Sequence, residues 1–253
     1  MNLAEAERRT ILRAEVGSTL HGVAIGGQDD RDEMGVCVEP PEFVLGLRLF
    51  DQVVHRTQPE GVRSGPGDLD LVIYSLRKYC RLAARGNPTV LLLLFAPADF
   101  VRVETPLGRD LRELAPAFVS QHAGRAFLGY MTQQRERLVG DRGQKAVKRP
   151  ELEAAYGFDT KYAGHMLRLG YQGREYLTTQ RLTLPMPEPE RELIRAVRRG
   201  EVPLPDVLKL AGELERDLKA AMDETRLPAE PAYDRINGFL VTAHRRHWGE
   251  RGE

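Results

Sequence analysis

Apolar positions fall in short runs near the start of the chain and at helical spacing toward its end. Residues 4 to 15 read as a short amphipathic helix with Ile11 and Leu12 in its apolar stripe. Glycines at 17, 22, 26 and 27 then interrupt the chain before Met34 to Val38, a short apolar strand. Gln58 to Gly67, polar and rich in proline and glycine, predicts a surface loop. Asp70 to Tyr74 predicts a strand that runs into a helix from Ser75 to Arg85, which Gly86-Asn87-Pro88 ends. Thr89 to Phe95 reads equally as a buried strand or a short core helix, because periodicity does not separate the two.

From about residue 110 the pattern is helical. Leu111 to Leu138 predicts one or two helical segments, and Gly140 to Arg149 a basic connector. Further helices are predicted over 151 to 170, 188 to 199 and 204 to 224, with the proline-containing stretch Leu184 to Pro189 extended. No internal repeat is visible. The pattern describes an α/β (α+β) chain: an α/β domain over 1 to 112, then a mostly helical domain over 113 to 253.

Composition narrows the function without naming it. The 253 residues suffice for a core that needs no disulfide or structural metal. The 37 basic residues balance the 37 acidic ones, so bulk charge does not mark a general nucleic-acid binder, although a local basic face stays open. Cys37 and Cys80 sit in apolar runs and read as small core residues. Leu182 and Leu184 are also core candidates. The charged start of the chain lacks a signal-peptide core, and the apolar run Val90 to Ala98 is half the length that crosses a bilayer. A cytoplasmic protein with no membrane partner is the expectation.

The chemistry concentrates in Val16 to Val38, VGSTLHGVAIGGQDDRDEMGVCV. Gly17-Ser18 opens a turn whose amides and Ser18 hydroxyl suit phosphate oxygens. Asp30 and Asp32 share one face by strand alternation, with Arg31 opposite, and paired carboxylates suit a hard, oxygen-loving cation. Asp29 competes with Asp30 for that place. For a third carboxylate, Asp68 and Asp70 are rivals of the same strand parity, and Asp70 stands directly at the apolar strand. Further on, Lys161, His165 and Arg168 recur at four- and three-residue intervals on one helix face behind the cap candidates Asp159 and Thr160. His21 lies close enough to the Gly17-Ser18 turn to touch phosphate or base, and reads as well as a plain loop histidine. Lys145, Lys148 and Arg149 offer contacts to a polyanion or a basic surface linker. Tyr130 and Gln133-Gln134 read as mostly structural, although glutamine pairs can read bases. The tail from Ala243 reads as an exposed end, its two histidines lacking a third ligand at metal spacing.

Gly17-Ser18 followed by the Asp30-x-Asp32 pair and a later acid resembles the signature of the DNA polymerase β-like nucleotidyltransferase superfamily. Gly-Ser-x-x-His-Gly at 17 to 22, Asp32-Glu33-Met34-Gly35, DLVIYSLRKYCRLAARGNP at 70 to 88, YGFDTKYAGHMLRL at 156 to 169 and LTTQRLTLP at 177 to 185 resemble its YcgL-like branch of predicted nucleotidyltransferases. The resemblance runs over roughly 15 to 230. It implies a mixed sheet flanked by helices, then a helical region that completes a nucleotide cleft. It favours Asp30 over Asp29, since Asp30-x-Asp32-x-x-Gly35 matches the family frame, and Asp70 as the third acid. It further implies Asp30, Asp32 and Asp70 on Mg²⁺ (or Mn²⁺), with Gly17, Ser18, Lys161, His165 and Arg168 on the phosphates of an NTP, ATP being the expected donor. The acceptor is left open among an RNA end, a protein and a small molecule. The chain departs from the branch where Leu92 replaces an acid after Asn87-Pro88, so a nucleotide-binding regulatory protein with little turnover is the alternative.

Overall fold

Asn2 caps the first helix, α1 (Leu3–Arg8), by accepting a hydrogen bond from the Glu5 amide. The helix stops there, and Thr10–Glu15 is a strand, β1. The helix expected over 4 to 15 is thus half strand. β1 runs between two other strands with nearly every residue buried, so Ile11 and Leu12 reflect cover on both faces of a sheet and not a helical stripe. The computed structural model describes residues 1–26, 29–60, 62, 64–140 and 149–252. Most of the basic connector, with Lys145 and Lys148, lies outside the described residues, as do Gly27 and Gln28.

Four more strands complete the sheet: β2 (Arg31–Cys37), β3 (Gln52–Arg56), β4 (Leu69–Ser75) and β5 (Val101–Glu104). Their order is β3-β4-β2-β1-β5. β2 and β4 pair in parallel and the other pairs are antiparallel, so the sheet is mixed. β3 and β5, absent from the sequence reading, are short edge strands with alternating burial, a weak signal in so few residues. Short helices α2 (Gly17–His21) and α3 (Pro41–Val44) connect the early strands.

β4 passes into α4 (Leu76–Ala84), whose first turn Ser75 caps by accepting from the Lys78 amide. Thr89 to Phe95 proves to be helix: α5 (Pro88–Phe95) begins with Pro88 at its first position, and the Asn87 side chain caps it. It is apolar all round because Val90 through Leu94 are all buried. Then follow α6 (Pro106–Glu113), α7 (Ala115–Phe118) and α8 (His122–Leu138). The single helix expected over 151 to 170 divides at Gly157 into α9 (Pro150–Tyr156) and α10 (Thr160–Thr179), the second capped by Asp159. Two further helices, α11 (Glu190–Arg198) and α12 (Leu204–Glu224), lie close to their expected limits.

One apolar core joins Leu12, Ala14, Met34 and Val36 of the sheet to Phe127, Met166, Tyr176 and Leu218 of the helices. Gly173 lets α10 approach α8, since a β carbon there would sit 2.8 Å from that of Phe127. Leu182, Leu184, Cys37 and Cys80 are buried, the two cysteines as free thiols. The tail is not an exposed end. It forms α13 (Tyr233–Arg251), where His244 reaches Oε2 of the buried Glu39 at 3.2 Å and the Trp248 indole donates to the Glu39 carbonyl at 2.8 Å. Three elements far apart in the chain meet at Glu39, because its carboxylate also accepts from the Leu76 amide at the start of α4. Among the described residues no helix is long and apolar enough to cross a membrane.

Candidate active site

Parallel pairing places Asp32 of β2 directly beside Asp70 of β4. In-register neighbours on adjacent strands point to the same face, so two carboxylates a short way apart follow from the register alone. Asp30, just before β2, completes the group, and one oxygen of each of the three acids lies within 4.8 Å of the others. The Gly17 turn packs against them. Gly17 has a φ of +67°, and a β carbon there would lie 2.0 Å from Asp32 Oδ2. Glycine is therefore the residue that lets Ser18 stand beside the acids, while the Val16 amide donates to the Asp32 carbonyl at 2.9 Å.

The neighbouring acids have other work. Asp29 pairs with Arg198 at 2.7 Å and Lys161 at 3.3 Å and accepts from the Ile25 amide. Burial raises its pKa, but the Arg198 hydrogen bond and charge outweigh it and hold the carboxyl below its usual range. Asp68 accepts from Thr57 Oγ1 and the Gly65 amide, which shapes the loop before β4. Asp70 accepts from Gln58 Nε2 at 3.0 Å and Ser64 Oγ at 2.9 Å, so the surface loop folds back to orient it. Arg56 on β3 also approaches Asp70, at 3.7 Å.

Among the described residues Asp32 has only the charge of Lys161 to offset its burial. Burial, then the charges of Asp30 and Asp70, push its carboxyl up to about 7. Hard oxygen donors, held close and mutually repelling, are the donor set a divalent cation relieves, and the residues present fit one.

α10 supplies the opposite wall of a cleft of about 560 Å³. Its cap, Asp159, accepts from the amides of Lys161 and Tyr162 and pairs with Arg149 at 2.8 Å. Lys161, His165 and Arg168 all line the cleft. The Arg168 side chain is half-buried and, among the described residues, pairs with no carboxylate. It donates instead to His21 Nε2 at 2.7 Å and Gln172 Oε1 at 2.9 Å. Burial lowers its pKa to about 10, which leaves it cationic at neutral pH. His21 is therefore a buried, neutral prop for Arg168, its pKa lowered first by burial and then by that guanidinium. His165 is also held neutral, by burial and the charges of Arg168, Arg137 and Arg149. It can offer a hydrogen bond, but not the positive charge that its spacing suggested.

Residues from other helices also reach the cleft: sequence reasoning missed Arg137 and Arg198 and read Gln134 as mostly structural. Gln134 and Arg137 come from α8, and Arg198 from α11. Arg137 and Arg149 stand over the Tyr162 ring at 6.0 and 4.9 Å. The available signal was the spacing of Tyr130, Gln134 and Arg137 at four and three residues on one helix. Leu92, where the branch pattern has an acid, lines the cleft as apolar wall.

A mixed sheet carrying clustered aspartates beside a Gly-Ser turn, faced by a helical region, defines a polymerase β-like nucleotidyltransferase. The chain belongs to the RlaP family, described as the RNA repair pathway DNA polymerase beta family, whose model matches residues 2–242. That match does not name the YcgL-like branch. A nucleotidyltransferase-like protein from Exiguobacterium sibiricum aligns with 98% of this chain and 75% of its own at 13% identity. Its TM-score of 0.31 is too low to carry an argument. No curated protein matches the chain.

Proposed function

We infer that this cleft transfers a nucleoside monophosphate from an NTP, with ATP as donor and Mg²⁺ as the ion, to the end of an RNA. The observation that carries the reading is the opposition of two walls. One oxygen each of Asp30, Asp32 and Asp70 lies within 4.8 Å of the others, and Arg168, half-buried and without a carboxylate partner among the described residues, faces them from α10. A triphosphate with its cation is the ligand class that satisfies both walls. The RNA end follows from the family's description as an RNA repair pathway group, and a neutral net charge asks only for a local patch to hold it.

In this reading Asp30, Asp32 and Asp70 hold the cation, Mn²⁺ being an acceptable substitute. An ion held there would supply charge neutralisation for the phosphate oxygens and activation of the attacking hydroxyl. Gly17 and Ser18 hold phosphate oxygens from the turn, and Lys161 and Arg168 stabilise the departing pyrophosphate with a hydrogen bond from His165. In the same reading Asp70, whose carboxylate accepts from Gln58 and Ser64, takes the proton of the attacking hydroxyl.

The test is pyrophosphate release from each NTP with Mg²⁺ and cellular RNA, for the wild type and for Asp30→Ala/Asp32→Ala. Release by the wild type that the double variant lacks supports the reading. Tight, metal-dependent NTP binding with no release would move the chain to a nucleotide-binding regulatory protein.

A further inference from the structure

Gln134 lies on α8 with 4% of its surface exposed and lines the cleft. Its amide makes no hydrogen bond with any described residue, and Oε1 is buried without a donor. A buried acceptor without a donor is costly to a fold, and one that lines a cleft points to a ligand that completes it. The surroundings are those of a nucleobase slot. One turn before Gln134, Tyr130 stands close enough to Tyr74 to raise the Tyr74 pKa, after burial itself. Tyr130 is itself fixed by a hydrogen bond from Asn87 Nδ2 at 2.8 Å. Tyr74, Val72 and Leu92 give the same cleft an aromatic ring and apolar side chains. Tyr74 lies four residues beyond Asp70 on β4, about 13 Å at the usual strand rise, which leaves room for a sugar between phosphates and base.

We propose that Gln134 reads the base of the donor nucleotide and selects adenine, its buried Oε1 accepting from the exocyclic amine. The amide's second half, Nε2, meets an adjoining ring nitrogen, the paired pattern that suits glutamine to adenine. A 6-oxo purine turns a carbonyl toward Oε1, and pairs with Gln134 only if the amide turns over and puts Nε2 in the buried position. On this account Leu92 is the apolar wall against which the base lies, in place of an acid that would have to be neutralised there. The inference deepens the proposed function and rests on the cleft being a nucleotide site.

The experiment is calorimetric binding of ATP, ITP and GTP in Mg²⁺ to the full chain, wild type and Gln134→Leu, with thermal melts to confirm folding. The wild type is expected to bind ATP at least about tenfold tighter than ITP, which differs from it only at the purine 6-position and the adjacent ring nitrogen. Gln134→Leu should bring the two within about threefold by weakening ATP, while its melt stays cooperative. Equal binding of ATP and ITP by the wild type overturns the role of Gln134 and leaves the nucleotide site standing; this arm needs no variant. Undiminished preference in a folded Gln134→Leu also overturns it. Absence of any nucleotide binding overturns both this inference and the proposed function.

Discussion

Asp32 and Glu33 are adjacent in β2, and alternation sends them to opposite faces of the sheet. Glu33, nearly buried, meets Arg13 at 2.5 Å and Arg31 at 3.3 Å and is fully compensated. Among the described residues Asp32 faces the carboxylates of Asp30 and Asp70, a turn that forbids even a methyl group, and the weaker charges of Lys161 and Asp29. One carboxylate holds the sheet together. The other is left in conflict, and a fold keeps such a conflict where a ligand resolves it. Asp29 and Asp30 repeat the contrast one step earlier, Asp29 tied to Arg198 and Lys161 and Asp30 left to the cluster. Adjacent residues of one chemical type thus divide between structure and chemistry according to their partners.

The contrast breaks most sharply at Asp32. Replacing it with Ala should lower nucleotidyl transfer about a thousandfold or more, read as initial rates of pyrophosphate release, with the cooperative melt retained. On the facing wall, Arg168→Leu should weaken NTP binding about 10- to 100-fold by titration, since a charge-assisted hydrogen bond contributes about 1.5–3 kcal/mol. Glu33→Gln tests the opposite face. Arg13 then keeps Glu7 at 3.2 Å but loses its closer, buried carboxylate, which should cost about 1–2 kcal/mol of unfolding free energy in denaturant, and the intrinsic rate of transfer should not change.

The smallest effect is a slope with pH. The Asp32 pKa rises on folding from 3.8 to about 7, so the folded state binds the proton more tightly. The metal-free protein should be most stable below about pH 4 with respect to this group, lose stability as pH rises toward 7, and level off above it. Solvent access reduces the effect to about 2 kcal/mol. Asp32→Asn should flatten that part of the stability profile, and Mg²⁺ should flatten it in the wild type. A slope unchanged by both would remove the argument from repulsion.

What was legible in the sequence was local. Asp30, Asp32, the Gly17-Ser18 turn and the face shared by Lys161, His165 and Arg168 are each set by residues a few positions apart. The register that puts Asp70 beside Asp32 was not legible, because it depends on a parallel pairing between segments nearly forty residues apart. The family frame and the position at the strand favoured Asp30 and Asp70, but the partners that occupy Asp68 and Asp29, among them Thr57, Arg198 and Lys161, were not legible because they lie farther along the chain. β1 was misread as helix because a strand covered on both faces has no alternation. α13 was missed because its anchor is Glu39, at the other end of the chain. Gln134 was noticed and set aside, since only the fold shows that its amide has no partner.

The central claim is that the three aspartates direct attack on the α-phosphorus of a nucleotide. It is tested most directly with ATP labelled at the α- or the γ-phosphate, incubated with Mg²⁺ and RNA, using wild type and Asp70→Asn. The account predicts α-label on the RNA, γ-label released as pyrophosphate, and neither with the variant. Transfer of the γ-label, or α-transfer that survives loss of Asp70, would contradict it.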